Sequence, residues 1–109
     1  MSVIYSFSHF EKYDTLFGMS DTVNKITSLL MERFTPEKLD IKDNSRHHQE
    51  HIETTLDVSH LGIYIVSDFF ENKSPVQRQR AVNQILQPFF DQGLHAVQMQ
   101  TKTPAEVNG

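Results

Sequence analysis

Residues 61–90 read LGIYIVSDFFENKSPVQRQRAVNQILQPFF and decide the fold, because a strand, a turn and a helix follow one another within them. The first seven of these residues are rich in β-branched and aromatic side chains, which favour a strand. Ser74 and Pro75 are residue types preferred at a helix N-cap and at the first helical position. Apolar residues then recur at helical spacing at Val76, Val82, Ile85, Leu86 and Phe89. Pro88 predicts that this helix is distorted or ends there, with Gly93 beyond its end.

The segment before this stretch predicts another helix. Ser20 or Asp21 can cap it, and Thr35 with Pro36 can end it. Its apolar positions recur at helical spacing at Val23, Ile26, Leu30 and Phe34. We therefore expect an amphipathic helix that buries one face.

Two further strands and a final helical turn are indicated. Leu39 and Ile41 alternate with charged residues, as in a half-buried strand. Residues 43–58 are polar, and loops of more than about 12 residues usually have a function or are disordered. Residues 94–101 alternate as a strand, and Thr103 to Glu106 has the spacing of a capping box with proline at the first helical position.

The order helix, strand, strand, helix, strand, helix predicts an α+β domain rather than a parallel βαβ array. We expect an antiparallel pair formed by the first two strands and joined by the polar loop. Residues 1–18 lack a clean period and are interpreted as an appendage, with an extra strand or a packed helix as the alternative.

The composition of the 109 residues fits one small globular domain, and its lack of cysteine excludes several chemistries. Disulfides, thiol nucleophiles, thiolate zinc sites and iron–sulfur clusters held by the chain's own sulfurs are all excluded. The net charge of −4 argues against a surface that is basic throughout. No apolar run approaches the roughly 20 residues that span a bilayer, and the N-terminus lacks the layout of a secretory signal. We expect a soluble cytoplasmic protein with no membrane association.

Histidines are the candidate metal ligands. His47, His48 and His51 lie within five residues of the polar loop, and neutral imidazole binds iron, zinc and copper. On composition alone, a solvated loop is the commoner explanation. His95 lies where the last strand begins and His60 at the start of the second strand, and at either position a structural hydrogen bond is the commoner explanation.

A second candidate site is a basic cluster at the start of the second long helix, formed by Lys73, Arg78 and Arg80. Cations near a helix N-terminus oppose the macrodipole, at a cost of roughly 0.3–1 kcal/mol each. Such a cost favours either binding of a phosphate or acidic partner, or pairing with surface acids. The chain has no nucleophile elbow, P-loop, dinucleotide fingerprint or zinc-protease motif, so we do not expect an enzyme.

Short motifs of the chain resemble, in order and spacing, those of the BolA-like proteins. They are Ser59-His60-Leu61, Ile65-Val66-Ser67-Asp68, Phe70-Glu71-Asn72-Lys73-Ser74, Val76-Gln77-Arg78-Gln79-Arg80, Leu94-His95-Ala96-Val97 and Thr101-Lys102-Thr103-Pro104-Ala105-Glu106. The resemblance implies a single α-β-β-α-β-α domain similar to a class II KH fold, with a three-stranded mixed sheet and helices on one side. It assigns the domain to residues 19–109 and leaves 1–18 as an N-terminal extension.

The resemblance also implies a function and its ligands. BolA-like proteins pair with monothiol glutaredoxins, and the pair shares a bridging [2Fe-2S] cluster that also uses glutathione, so no cofactor is expected for the isolated chain. The family's C-terminal histidine ligand corresponds to His95. The second ligand corresponds to His48, with His47, His51 and His60 as alternatives.

Some members of the family are DNA-binding transcriptional regulators linked to stress. This implies an alternative function in which DNA contacts the KH-like helix pair and a patch formed by Lys73, Arg78, Arg80 and Lys102. Gln79 stands where the family usually has a histidine, so a role of that histidine in partner binding is missing here. The sequence leaves open whether the chain also forms a weak homodimer.

Overall fold

The fold is taken from a computed structural model that describes residues 3–8, 21–45 and 58–108, with only the backbone described for residues 3–8. Its elements, in chain order, are β1 (Val3–Ser8), α1 (Asp21–Phe34), β2 (Lys38–Asp43), β3 (His60–Val66), α2 (Pro75–Asp91), β4 (Ala96–Lys102) and α3 (Pro104–Asn108). A short 3-10 turn over Asp68–Phe70 connects β3 to α2. The predicted order of helices and strands from residue 21 onward is confirmed.

The sheet is mixed and has the strand order β1-β2-β3-β4. β2 and β3 are antiparallel, as predicted, and β3 pairs with β4 in parallel. These three strands are the predicted three-stranded sheet. Residues 3–8 add a fourth strand, which pairs antiparallel with β2 from Val3 opposite Asp43 to Ser8 opposite Lys38. For these six residues the structure has the extra-strand alternative rather than the appendage interpretation of residues 1–18. The boundary at residue 19 stays a prediction.

The core lies between one face of the sheet and the two long helices. Side chains alternate along β2 and β3, and those on the core face are buried: Leu39, Ile41, Leu61, Ile63 and Ile65. The helices cover them with Val23, Ile26 and Leu30 of α1 and with Val82, Leu86 and Phe89 of α2. Val76, which the periodicity placed on the apolar stripe of α2, is instead 54% exposed. No helix in the described part of the chain is both long enough and apolar enough to cross a membrane.

The second long helix begins as predicted but does not end at its proline. Ser74 caps it in a capping box with Gln77, and Pro75 is the first helical residue. Pro88 lies inside the helix, which continues to Asp91. Proline removes the backbone hydrogen bond to the carbonyl of Gln84, but both residues are exposed, so water can satisfy that carbonyl. Burial of Phe89 holds the last turn on the core.

The end of α2 is a Schellman motif, which turns the chain toward His95 and the start of β4. Gly93 has a φ of 124°, its N–H donates to the Phe90 carbonyl at 3.2 Å, and the Leu94 N–H donates to the Phe89 carbonyl at 2.9 Å. Leu94 is buried, as the residue after the glycine commonly is in this motif.

We expect Gly93→Ala to destabilise the fold by about 1–2 kcal/mol, because an L side chain is disfavoured at positive φ. Urea unfolding followed by far-UV circular dichroism measures this change. Gln92→Ala is the matched control, because Gln92 precedes Gly93 with a right-handed φ of −96°. Equal stability of the two variants would contradict the role given to Gly93.

Candidate functional site

His95 lies at the surface between the Schellman motif and β4. Leu94 is 3% exposed, whereas His95 is exposed, so the backbone turns from the core to solvent within one residue. The N–H groups of His95 and Ala96 both donate to the carbonyl of Ser59, at 2.8 and 3.1 Å. Two backbone hydrogen bonds therefore hold the backbone of His95 against the start of β3.

His60 is the neighbour of His95 in space. In the parallel pairing of β3 and β4, His60 is opposite Ala96, the residue that follows His95. The two imidazole ring centroids are 5.2 Å apart, and the ring planes are inclined by 48°. Half-buried His60 has its Nδ1 2.9 Å from the Ser59 hydroxyl. If Nδ1 carries the proton and donates to this hydroxyl, Nε2 keeps a lone pair that can bind a metal.

The predicted loop ligands lie outside the described residues. His47, His48 and His51 belong to residues 46–57, so their roles as ligands stay predictions. In the part of the chain that the structure does describe, no group of three or more histidine, aspartate or glutamate side chains is arranged to hold a metal ion.

The donor chemistry of the pair fits a shared [2Fe-2S] cluster. Clusters of this type are usually held by thiolates, but two imidazoles can replace two thiolates on one iron. His95 is exposed and His60 lies beside it, so the chain can offer nitrogen ligands at its surface. The sulfur ligands of such a cluster would come from another molecule, because the chain has no cysteine.

Two serines near the pair carry its hydrogen bonds. Sequence reasoning assigned a role to neither of them, although Ser59 belongs to the motif Ser59-His60-Leu61. Ser59 contacts both histidines, as described above, and the hydroxyl of Ser45 accepts hydrogen bonds from the backbone N–H groups of Ser59 and His60. The run of turn-forming residues Asp43-Asn44-Ser45 is a local sign of a special backbone here. The hydrogen bonds between the Ser45 hydroxyl and residues 14 and 15 positions later cannot be predicted from a local sequence pattern.

The basic residues are only partly available to a ligand. Arg78 donates from Nε to the Lys73 carbonyl at 2.9 Å, from Nη1 to the Thr101 carbonyl at 3.0 Å, and from both terminal nitrogens to Glu106. Its side chain is 12% exposed. Of the two alternatives predicted for Arg78, binding a ligand or pairing with a surface acid, the structure shows the pairing, with Glu106. This pairing offsets the unfavourable position of Arg78 near the start of α2.

The other three cations of the predicted patch differ in their surroundings. Lys73 donates to the Phe69 carbonyl at 2.9 Å, and its Nζ lies 4.3 Å from the centroid of the Phe69 ring. Arg80 is exposed and Lys102 is half-buried. Arg80 is therefore the member of the patch that is most open to solvent.

Glu106 in α3 links the C-terminal end of the domain to α2 through its ion pair with Arg78. Hydrogen bonds from Arg78, followed by one from the backbone N–H of Thr103, lower the pKa of Glu106 from its usual 4.5 to about 2. The Thr103 hydroxyl accepts from the Glu106 N–H at 3.2 Å, which confirms the predicted capping box.

We expect the stabilisation from the Glu106 charge to be present above pH 4.5 and to be lost as the pH falls toward about 2, because the folded-state pKa is the lower one. Glu106→Gln keeps a capping residue but removes the charge. The difference in melting temperature between wild type and Glu106→Gln should therefore shrink between pH 5 and about pH 2.5. A difference that is constant over this range would show that the Arg78–Glu106 charge pair does not contribute.

Comparisons with known proteins agree with the fold and identify the family. A family model described as BolA-like protein matches residues 30–106. An uncharacterized protein in the cobS 5′ region of Sinorhizobium sp is 36% identical over 92 residues, which are 82% of this chain and 95% of that protein. Protein BOLA1, chloroplastic, of Arabidopsis thaliana is 33% identical over 92 residues, and the match covers 58% of that protein.

A solved structure is similar over most of the chain. The BolA domain of SufE1 from Arabidopsis thaliana matches with a TM-score of 0.70 and 34% sequence identity, covering 82% of this chain and 99% of that one. The residues matched by the family model include both histidines and the Schellman motif. The chain belongs to the BolA-like protein family.

Proposed function

We propose that this chain is a non-enzymatic adaptor that pairs with a monothiol glutaredoxin and shares a bridging [2Fe-2S] cluster with it. The observation that carries this proposal is the exposed imidazole of His95, with the ring of His60 centred 5.2 Å away. Neutral imidazole is an established iron ligand. His95 supplies one ligand, and the second comes from His48 or from one of its alternatives, His47, His51 and His60.

This chain has no cysteine, so it supplies nitrogen ligands only. The resemblance to the BolA-like proteins implies that the glutaredoxin supplies the sulfur ligands, from its own cysteine and from bound glutathione. When bound, the cluster supplies electron transfer or an iron–sulfur unit for delivery. The backbone bonds from His95 and Ala96 to Ser59 hold the backbone that carries the exposed imidazole. We place this role in cytoplasmic iron–sulfur trafficking, or in the sensing of iron and stress.

Reconstitution with a partner tests the proposal. The chain is mixed with a monothiol glutaredoxin, glutathione, ferrous iron and sulfide, and the visible absorption and circular dichroism are compared with those of glutaredoxin alone. We expect a new spectrum and co-elution of both proteins with iron. A spectrum identical to that of glutaredoxin alone, with the two proteins eluting separately, would overturn the proposal.

Single substitutions identify the second ligand. His48→Ala and His60→Ala are compared in the same reconstitution, with His47→Ala and His51→Ala as further variants. The variant that lacks the second ligand should lose cluster stability, whereas the others should behave as wild type. Loss in none of the four would show that none of these four histidines is required on its own as the second ligand.

A second candidate function is DNA binding, for which the supporting observation is the exposed Arg80 on α2. Binding through phosphate contacts should weaken steeply as salt rises. Arg80→Ala should weaken it further without affecting the fold. Arg78→Ala is a poor test because the Arg78 side chain donates hydrogen bonds to Glu106 and to the Thr101 carbonyl in β4, so its removal would also disturb the fold. DNA affinity unaffected by salt and by Arg80→Ala would exclude binding through phosphate contacts at Arg80, and no measurable affinity at low salt would exclude this function.

A further inference from the structure

We propose that Ser45 is a positioning residue for the His60–His95 pair. Its hydroxyl fastens the backbone of Ser59 and His60 to the end of β2, and through Ser59 it sets where His95 lies. The inference rests on the iron–sulfur role proposed above only for the purpose of the positioned histidines, which is to bind the cluster. The positioning itself can be measured in the isolated chain.

The hydroxyl of Ser45 uses all of its hydrogen-bonding capacity on one short segment. Ser45 is 2% exposed, and its Oγ accepts from the Ser59 N–H at 2.6 Å and from the His60 N–H at 3.1 Å. The same oxygen lies 3.4 Å from the His60 carbonyl, to which its proton can be donated. A hydroxyl has two lone pairs and one proton, so these three contacts saturate it.

Ser45 is itself held at the end of β2. Its N–H donates at 2.9 Å to the carboxylate of Asp43, which is 7% exposed, and the Asn44 N–H donates to the His60 carbonyl at 2.9 Å. The hydroxyl is therefore a fixed point relative to the sheet rather than a side chain free to rotate toward solvent.

Ser59 transmits this anchoring to both histidines. Its N–H is bound by Ser45, its carbonyl accepts from the N–H groups of His95 and Ala96, and its own hydroxyl lies 2.9 Å from His60 Nδ1. A continuous set of hydrogen bonds thus runs from Asp43 through Ser45 and Ser59 to His95. Ser45 acts through the backbone, which is why we describe it as a positioning residue and not as a ligand.

The consequence of removing the hydroxyl follows from its bonds. Ser45→Ala leaves two part-buried N–H groups without an acceptor, and the segment must shift to hydrate them. A shift of Ser59 carries the start of β3 and the attachment point of His95 with it. We expect the defined contact between the two rings to be lost while the rest of the fold persists.

The chain offers a matched control at the other end of β3. Ser67 is 1% exposed, and its Oγ donates to the Phe34 carbonyl at 2.5 Å and accepts from the Phe69 N–H at 3.0 Å. Ser67→Ala therefore removes a buried hydroxyl with similar bonds but without a link to the histidines. Ser45→Thr keeps the hydroxyl and serves as the rescue variant.

The primary measurement is the nuclear Overhauser effect between the ring protons of His60 and His95 in the isolated full chain. We expect these cross-peaks in wild type, Ser67→Ala and Ser45→Thr, and their loss in Ser45→Ala. Retention in Ser45→Ala, or loss in Ser67→Ala as well, would overturn the inference. If Ser45→Ala does not fold, Asp43→Asn weakens the same network one step earlier, and unchanged cross-peaks in that variant would also overturn it.

The second measurement uses the complex reconstituted with a monothiol glutaredoxin and follows loss of the cluster to an iron chelator. Residues that orient metal ligands typically change metal affinity 10–100-fold, and because Ser45 acts indirectly we expect about tenfold faster loss in Ser45→Ala. Ser67→Ala should lose the cluster at the wild-type rate. Equal rates in the two serine variants would overturn the inference. Failure of wild type to bind a cluster would overturn the proposed function instead, and the ring cross-peaks would still decide the role of Ser45.

Discussion

His95→Ala should abolish the proposed shared cluster while leaving the fold intact. The imidazole is exposed and contributes to the site through its ring, whereas the backbone N–H that holds the segment to Ser59 is present in any residue except proline. We therefore expect the melting temperature to stay close to that of wild type. Even indirect partners of metal ligands change affinity 10–100-fold, so loss of a ligand should reduce cluster retention by more than about tenfold. Visible circular dichroism of the reconstituted complex measures this.

Two companion variants separate the loss of a ligand from the loss of surface contact with the partner. Gln98→Ala changes another exposed side chain, two residues into β4, and should leave the spectrum unchanged. His95→Cys replaces imidazole by a thiolate, which binds iron and lowers the reduction potential of a cluster relative to imidazole. We expect this variant to retain a cluster with an altered spectrum. An unaltered spectrum in His95→Ala, or no cluster in Gln98→Ala, would refute the assignment of His95.

Phe70→Ala should be among the most destabilising single substitutions in the described part of the chain. Phe70 is fully buried at the junction of β3 and α2, and its ring lies 5.3 Å from that of Phe34, centroid to centroid. Truncating a buried phenylalanine typically costs 3–5 kcal/mol, because the apolar transfer energy is lost and a cavity remains. That is a large fraction of the roughly 5–15 kcal/mol by which a small domain is stable. Urea unfolding at pH 7 measures it.

Phe69→Ala is the matched control because it removes the same side chain from the adjacent position. Phe69 is half-buried, with Arg33 Cζ 4.4 Å and Lys73 Nζ 4.3 Å from its ring centroid. Each exposed cation–π contact contributes about 0.5–1 kcal/mol, so we expect a loss of roughly 1–2 kcal/mol. A larger loss for Phe69→Ala than for Phe70→Ala would contradict the burial described here.

Which of the two phenylalanines is buried could not be predicted from the sequence. The stretch Asp68 to Lys73 predicts a turn, but its composition does not say which of Phe69 and Phe70 enters the core. The choice is made by the 3-10 turn, which Ser67 caps while its hydroxyl also bonds the end of α1. That second bond links residues 33 positions apart and has no local signature.

Local features of the chain were predictable because their causes are local. The capping boxes at Ser74 and Thr103, the glycine after α2 and the alternation along β2 and β3 each depend on side chains within a few residues of one another. Pro88 is the exception, since a helix turn that proline weakens is retained here through burial of Phe89 on the core.

The sequence by itself determined the α+β order and the family, and it indicated His95 as a candidate ligand, because periodicity, caps and short motifs are properties of neighbouring residues. Only the tertiary structure decided that His60 stands beside His95, that Arg78 is committed to Glu106, and that Ser45 ties the start of β3 to the end of β2. These contacts join residues 14 to 35 positions apart through strand pairing and helix packing. Contacts between such distant residues form only when the sheet and helices are assembled, so they cannot be predicted from a local sequence pattern.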